Sequence, residues 1–199
     1  MKLKLTYFNG RGLAEISRIL FAIGGEEYED FRYPLEIIDW ATHNMKKEEF
    51  EQDKADGKLL GSLNKLPSLT VDGFVCGSDN EQPEDTSLVI PQSKAIERYI
   101  SKSYNLMGSN LLEEARIDSI GECIRDIKDA YQKVRRIENP DEKVKGLEEW
   151  FSDTLPTRME LLEKVLDEEF AIGSSLSLAD VQLFSFITQF FDNKEGASN

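Results

Sequence analysis

Three short segments of this sequence contain residue types that can bind or activate an anion, and the first of them ends in Tyr7. Leu3, Leu5 and Tyr7 alternate with polar residues, which predicts a half-buried strand that breaks at the following glycines before a helix. The phenol would then lie near backbone amides and the positive end of the helix dipole, where it can donate a hydrogen bond to an anion. A tyrosine at the edge of the core, satisfied by a carbonyl group, is the alternative.

The second segment, Lys65-Leu66-Pro67, leads into a predicted strand. A cis bond before Pro67 would leave the amide and the carbonyl of Leu66 pointing outward, free to pair with a bound peptide as an added strand does. A trans proline that starts an edge strand explains the same residues without a binding role.

The third segment, Gln92-Ser93, stands at the start of a predicted helix. The Ser93 hydroxyl and the first free amides of such a helix can bind a carboxylate or a phosphate. Ordinary N-capping explains Ser93 about as well.

Residue counts exclude several other kinds of site. The chain has a single histidine, His43, and two cysteines, Cys76 and Cys123, that lie far apart. Zinc sites with several histidines and CxxC pairs are therefore excluded, and any catalytic triad would depend on His43. We expect both thiols to be reduced and partly buried. Acid–base and anion chemistry would then depend mostly on Tyr, Ser, Arg and Lys side chains and on backbone amides.

The overall composition is that of an acidic globular protein. The 199 residues include 24 Lys and Arg against 38 Asp and Glu, which gives a formal net charge of −14. Such a surface repels nucleic-acid phosphates and anionic lipid, so neither partner is expected. No apolar run approaches the roughly 20 residues of a membrane span, and the start of the chain has no secretory apolar block. We expect a soluble cytoplasmic protein.

The patterns that would position the three segments divide the chain into two parts. The first hundred residues predict the order βαβ, then ββα, with weak helical character over 39–62 and an exposed acidic loop over 78–86. The second half predicts helices only: a long one around 117–134, one that begins at Asn139-Pro140 with a kink at Pro156, and one opened by a capping box at Ser177.

The segments are more specific together than alone, because they occur in the order found in one protein family. The sequence resembles the sigma-class glutathione transferases, the class of the glutathione-dependent prostaglandin D synthases, from about residue 2 to 191. The matching segments are TYFNGRGLAE (6–15), DW (39–40), NKLP (64–67), VDG (71–73), QSKAIERYI (92–100) and GSSLSLAD (173–180). The resemblance implies a thioredoxin-like α/β domain at residues 1–104, an all-helical domain at residues 110–199, and a two-fold dimer, either a homodimer or a heterodimer with a related subunit.

The resemblance also implies a role for each matching residue. Tyr7 would donate its hydroxyl hydrogen bond to the glutathione sulfur, and Leu66, before a cis Pro67, would pair through its main chain with the cysteinyl unit. Gln92 and Ser93 would hold the γ-glutamyl carboxylate. The remaining contacts to the tripeptide would come from Trp40 and Lys65 near its glycine end and, across the dimer, from Asp126 at the γ-glutamyl ammonium. A solvated charge without a binding role is the alternative for Asp126.

The expected function is therefore conjugation of the glutathione thiolate to small apolar electrophiles, or isomerisation by the same chemistry with the thiolate returned. No metal or prosthetic group is expected, because the tripeptide is a co-substrate that supplies the nucleophile.

Some departures from the family pattern support an alternative function. Leu13 stands where many relatives carry an arginine, the acidic loop is an insertion, and relatives continue beyond the last capped helix. We expect either an open second-substrate pocket or a protein partner over Phe184, Phe190 and Phe191. The alternative is thus a weak or inactive transferase-fold subunit that acts as an assembly module.

Overall fold

The computed structural model describes residues 2–39, 44–73, 87–167 and 169–190, and the chain folds as two units, Met1–Tyr104 and Asn105–Asn199. Several residues singled out from the sequence lie outside the described ones. They are Trp40, His43, Cys76, the acidic loop 78–86 and Phe191.

A four-stranded mixed sheet forms the centre of the first unit, in the order β2-β1-β5-β6. Strand β1 (Lys2–Phe8) pairs in parallel with β2 (Glu29–Tyr33) and antiparallel with β5 (Ser68–Asp72), which pairs antiparallel with β6 (Ser87–Pro91). Helix α1 (Glu15–Gly24) links β1 to β2, and α3 (Ser93–Ser103) follows β6. The predicted order βαβ, then ββα, is confirmed.

The two faces of this sheet differ in polarity because side chains alternate along each strand. One face carries buried apolar side chains, which with residues of α1 and α3 form the core of the unit; these are Leu3, Leu5, Leu69, Val71, Leu20, Phe21, Ile96 and Ile100. The other face carries Lys4 and Thr6 of β1 beside Thr70 and Ser68 of β5. Tyr33, Phe50 and Leu59, with Phe8 and Phe31 packed against them, form an aromatic cluster in the same unit.

The segment after β2 is more ordered than the sequence predicts. Strands β3 (Glu36–Asp39) and β4 (Asn44–Lys46) form a separate antiparallel pair, followed by α2 (Glu48–Ala55) and a 3₁₀ turn at Leu60–Ser62. Helix α2 has a single buried residue, Phe50, so it shows no apolar periodicity in the sequence. Its packing in the aromatic cluster, and not its own pattern, accounts for its position.

The described part of the second unit is helical, as predicted. Helix α4 (Leu111–Arg135) begins at the N-cap Asn110, and α5 (Pro140–Glu149) begins at the N-cap Asn139. A π-helical segment, Trp150–Thr154, joins α5 to α6 (Leu155–Glu163). Pro156 lies in the first turn of α6, where a missing amide costs little, so the π-helical segment marks the irregularity predicted at Pro156.

The capping box before α7 (Leu178–Ser185) is confirmed. The Asp180 carboxylate accepts hydrogen bonds from the Ser177 amide at 2.8 Å and from the Ala171 amide at 2.6 Å. On this helix and the π-helical segment after it (Phe186–Phe190), Phe184 and Ile187 are 56% and 57% exposed. Within the described ranges, no helix has the length and apolar character needed to cross a bilayer.

Candidate functional site

One end of the sheet brings together the three segments that the sequence singles out. Thr6 is opposite Ser68, and Ser68 is opposite Pro91. Tyr7 follows Thr6, Pro67 precedes Ser68, and Gln92 follows Pro91, so all three lie at the same end of three adjacent strands. Two strand spacings amount to about 10 Å, which matches the span of about 10 Å of an extended tripeptide.

The Tyr7 hydroxyl at this end accepts a hydrogen bond from the Leu13 amide at 3.2 Å. Because the hydroxyl is the acceptor, its own hydrogen is free to be donated elsewhere. The residues that the structure describes include no carbonyl that accepts this hydrogen, so the alternative of a tyrosine satisfied within the core is not what is found. The hydroxyl therefore keeps a hydrogen that it can donate to an added group.

A buried arginine, which the sequence analysis missed, anchors the turn between Tyr7 and Leu13. The Arg18 guanidinium is 9% exposed, donates to the Gly10 carbonyl at 2.7 Å, and forms ion pairs with Asp30 at 3.1 Å and Glu15 at 3.2 Å. The only sequence signal for it is the Glu15–Arg18 spacing of three residues on a helix, which also occurs in solvated pairs. Arg18 positions the turn and does not lie among the residues predicted to contact a ligand.

The bond between Leu66 and Pro67 is cis, as the first of the two alternatives for this segment requires. The Leu66 main chain takes part in none of the hydrogen bonds found among the described residues, and the paired part of β5 begins only at Ser68. The Leu66 side chain packs on the aromatic cluster. Its amide and carbonyl are therefore available to an added extended peptide.

Helix α3 begins without a side-chain cap. Gln92 is its N-cap residue and Ser93 its first helical residue, so ordinary capping by Ser93 is not what is found. The Gln92 backbone has φ 74° and ψ 118°, a conformation that costs a non-glycine residue about 1–3 kcal/mol and that typically persists at ligand sites. The first backbone bond of the helix runs from the Ile96 amide to the Gln92 carbonyl, which leaves the amides before it open to an anion.

Two other predicted site residues are exposed. Lys65 precedes Leu66 and is open to solvent, and Asp126 lies on α4 in the second unit. The ligand-binding roles predicted for these two residues and for Trp40 stay predictions, as do those of Tyr7, Leu66, Pro67, Gln92 and Ser93.

Comparison with known proteins identifies the family. The C-terminal domain of glutathione S-transferases matches residues 125–198 of this chain. Glutathione S-transferase A4 of Mus musculus is 31% identical over 189 residues, which cover 94% of this chain and 72% of the relative. The chain belongs to the glutathione S-transferase family.

Further members of the glutathione S-transferase family agree with the predicted class. Hematopoietic prostaglandin D synthase of Gallus gallus is 33% identical over 178 residues, or 89% of this chain and 73% of the relative. A structure of rat hPGDS complexed with a quinoline matches with a TM-score of 0.67 and 28% identity, and covers 94% of this chain and 79% of that one. The predicted resemblance, the predicted fold and the predicted enzyme class, a glutathione transferase, are confirmed at the level of the family.

Proposed function

We propose that this transferase binds glutathione at the end of the sheet and conjugates it to small apolar electrophiles, with Tyr7 stabilising the thiolate. The observation that supports this proposal best is the hydrogen bonding of the Tyr7 hydroxyl. It accepts a hydrogen bond from the Leu13 amide, so its own hydrogen can be donated to a ligand. A hydroxyl that accepts one hydrogen bond becomes a stronger donor of another, because the chain of bonds polarises.

The energy that activation needs is within reach of such a bond. A free cysteine thiol has a pKa of about 8.5, and lowering it by about two units requires roughly 2.7 kcal/mol of preference for the thiolate. One charge-assisted hydrogen bond contributes about 1.5–3 kcal/mol. In the reaction the thiolate sulfur forms a bond to the electrophilic carbon, the electron pair of the broken bond leaves with the leaving group, and the thiol proton passes to solvent.

The rest of the tripeptide would bind along the same end of the sheet. The Leu66 main chain, exposed by the cis bond, pairs with the cysteinyl unit, and the first turn of α3 with Gln92 and Ser93 holds the γ-glutamyl carboxylate. Trp40 and Lys65 contact the glycine end. Asp126 reaches the γ-glutamyl ammonium across a dimer. The same chemistry with the thiolate returned gives an isomerase, and the choice between the two depends on the electrophile.

A second candidate function, an assembly module on the transferase fold, is favoured by a separate observation. Phe184 and Ile187 are both more than half exposed at the end of the second unit. Large apolar side chains exposed close together are typical of protein contact surfaces. Glutathione-affinity resin separates the two functions: a folded protein that flows through would favour the module, and retention with elution by free glutathione favours the enzyme.

The decisive variant is Tyr7→Phe, measured by conjugation of glutathione to a generic aryl halide. We expect kcat to fall by at least about tenfold while KM for glutathione stays within about threefold, because only the thiolate-stabilising bond is lost. Tyr28→Phe is the matched control, since Tyr28 is half-buried and stacks on Phe21 away from this end of the sheet. Equal kcat for Tyr7→Phe and wild type would reject Tyr7 as the activating residue.

A further inference from the structure

The turn that follows β1 contains an asparagine directly before a glycine, Asn9-Gly10, and no other asparagine in the sequence precedes a glycine. Asparagine is chemically labile, because the amide nitrogen of the following residue can attack its side chain. Glycine has no Cβ atom, so the amide of Gly10 is more open to this attack than that of any other residue type would be. The sequence therefore singles out one place for a modification that needs no enzyme.

The structure leaves the two reacting groups accessible to each other. Asn9 and Gly10 are both exposed, and the Asn9 carboxamide forms no hydrogen bond with a residue that the structure describes. A Cβ atom built at Gly10 would meet nothing within 4 Å, so the surroundings of Gly10 are open. The Gly10 amide donates to the Phe8 carbonyl at 2.8 Å within a three-residue turn. A single exposed bond of this kind delays the attack without preventing it, because it opens independently of the sheet.

We propose that Asn9 is a site of spontaneous deamidation, which converts it to aspartate or isoaspartate with water as the co-reactant. The Gly10 amide nitrogen loses its proton to solvent and bonds to the side-chain carbonyl carbon of Asn9. The bond from that carbon to the side-chain nitrogen breaks, and ammonia leaves with a proton from solvent. Water then opens the five-membered succinimide ring at either of its carbonyl carbons. One asparagine and one water thus give one aspartate or isoaspartate and one ammonia, with no change of oxidation state.

The modified residue would disturb the turn that carries Leu13. The Gly10 carbonyl accepts a hydrogen bond from the Arg18 guanidinium at 2.7 Å. In the isoaspartate form the main chain passes through the side-chain carbons of Asn9 and gains one carbon, which displaces the Gly10 carbonyl from Arg18. The same turn continues to Leu13, whose amide donates to the Tyr7 hydroxyl at 3.2 Å. Deamidation at Asn9 would therefore weaken the hydrogen bonding that positions this hydroxyl.

The test is a peptide map of the full chain by mass spectrometry, made during incubation at mildly alkaline pH, where more of the attacking amide is deprotonated. Deamidation changes the mass of a peptide, and an isoaspartate methyltransferase labels the isoaspartate form. We expect Asn9 to be converted at least about tenfold faster than Asn105 and Asn110, two exposed asparagines of the same sample that precede leucine. Equal conversion of the three asparagines, or no conversion of Asn9, would overturn the proposal.

Gly10→Ala tests the chemical route. The added Cβ atom meets nothing within 4 Å, and the φ of Gly10 lies outside the left-handed region, so the turn accommodates alanine. We expect conversion of Asn9 to slow by about tenfold, because the Cβ atom hinders attack by the amide, while conversion of Asn105 in the same sample does not change. An unchanged rate at Asn9 in a folded Gly10→Ala protein would exclude the succinimide route and with it the proposal.

The effect on activity is measured in the same samples, and this effect alone rests on the proposed glutathione function. We expect kcat for conjugation by the wild type to fall in proportion to its isoaspartate content, while Gly10→Ala keeps its initial kcat over the same incubation. Undiminished kcat in a wild type rich in isoaspartate would disprove the link from Asn9 to Tyr7. Fresh protein without conjugating activity would count against the glutathione function only, because the peptide map decides the deamidation separately.

Discussion

Gly12 is the residue that allows the Tyr7 hydroxyl to approach the turn so closely. A Cβ atom at Gly12 would lie 2.5 Å from the Tyr7 hydroxyl oxygen, and the Gly12 backbone has φ +44°. Both the space and the conformation therefore favour glycine. Leu13, whose amide donates a hydrogen bond to the Tyr7 hydroxyl, is the next residue, so the position of this hydroxyl depends on the absence of a side chain at Gly12.

We predict that Gly12→Ala lowers kcat for conjugation by about tenfold and destabilises the protein by about 1–3 kcal/mol, because the ring or the turn must move and the backbone is strained. Steady-state kinetics and urea unfolding measure the two effects. Gly10→Ala is the matched control, because a Cβ atom there meets nothing within 4 Å. Equal effects of the two substitutions would contradict this account of Gly12.

A second residue-scale prediction concerns Tyr104. Burial and a hydrogen bond to the Glu26 carboxylate, 2.9 Å away, raise the pKa of Tyr104 to about 12. Burial and a bond to Asp53 likewise raise the pKa of Tyr33 to about 12. A raised tyrosine pKa contributes stability that is fully present below the unfolded value of about 10 and is lost as the pH rises through the folded value.

We predict that Glu26→Gln lowers the pKa of Tyr104 and leaves that of Tyr33 in place, because only the charged partner of Tyr104 is removed. Absorbance titration of tyrosinate from pH 9 upward measures both groups, with Tyr104→Phe to assign the transition. Asp53→Asn should instead lower the pKa of Tyr33 and leave that of Tyr104 in place. A Tyr104 transition that stays at its wild-type pH in Glu26→Gln would show that burial alone sets its pKa.

At the scale of elements, Arg18 joins β1, α1 and β2. It bonds the Gly10 carbonyl after β1, Glu15 of its own helix, and Asp30 of β2. Without Arg18 the Gly10 carbonyl and the Glu15 carboxylate lose this partner, while Asp30 keeps its ion pair with Arg32, so the expected cost is about 1–3 kcal/mol.

We predict that Arg18→Met lowers the free energy of unfolding by about 1–3 kcal/mol and also lowers kcat, since the turn that carries Leu13 loses its anchor. Lys47→Gln is the control, because Lys47 and Glu51 form a surface pair whose side chains are 40% and 49% exposed, and such a pair contributes little to stability. Urea unfolding compares the two variants. A loss as small for Arg18→Met as for Lys47→Gln would show that the network does not hold the turn.

Elements with a regular pattern could be predicted from the sequence, and those that depend on distant contacts could not. The alternation at Leu3 and Leu5 and the capping box at Ser177 each place one element correctly. The β3–β4 pair has no such pattern, and α2 is held by the single buried Phe50. Helix and strand propensities of neighbouring residues do not indicate which side chains a polar helix such as α2 packs against.

In the candidate site, too, local motifs could be predicted from the sequence and contacts between distant residues could not. The sequence predicted Tyr7, the cis bond at Pro67 and the start of α3, because each belongs to a motif of neighbouring residues. It did not predict Arg18, because charged residues are usually exposed. The burial of Arg18 is explained by its bonds to Asp30 and to the Gly10 carbonyl, which only the structure shows.

At the scale of the whole molecule, the formal net charge of −14 means that most carboxylates repel one another. Asp167 is an exception. It accepts hydrogen bonds from Arg116 at 3.1 Å and from the Gly173 amide at 2.7 Å, and these two groups hold the pKa of Asp167 below its usual range. A carboxyl with a lowered pKa contributes stability that is present above the unfolded value, about 3.9, and is lost as the pH falls through the folded value.

Asp167→Asn and Glu148→Gln each remove one negative charge, but we predict opposite effects on stability at pH 7. Asp167→Asn should destabilise the protein, because Arg116 loses its ionic partner. Glu148→Gln should be neutral or slightly stabilising, because Glu148 is exposed, forms no ion pair with a described residue and adds to the net repulsion. Thermal unfolding from pH 7 down to pH 3 measures both, and the deficit of Asp167→Asn should shrink below about pH 4, where the carboxyl of the unfolded chain begins to be protonated while the native one is still charged. If the two variants shifted the melting temperature in the same direction at pH 7, total charge rather than the Arg116 pair would govern the acid stability of this protein.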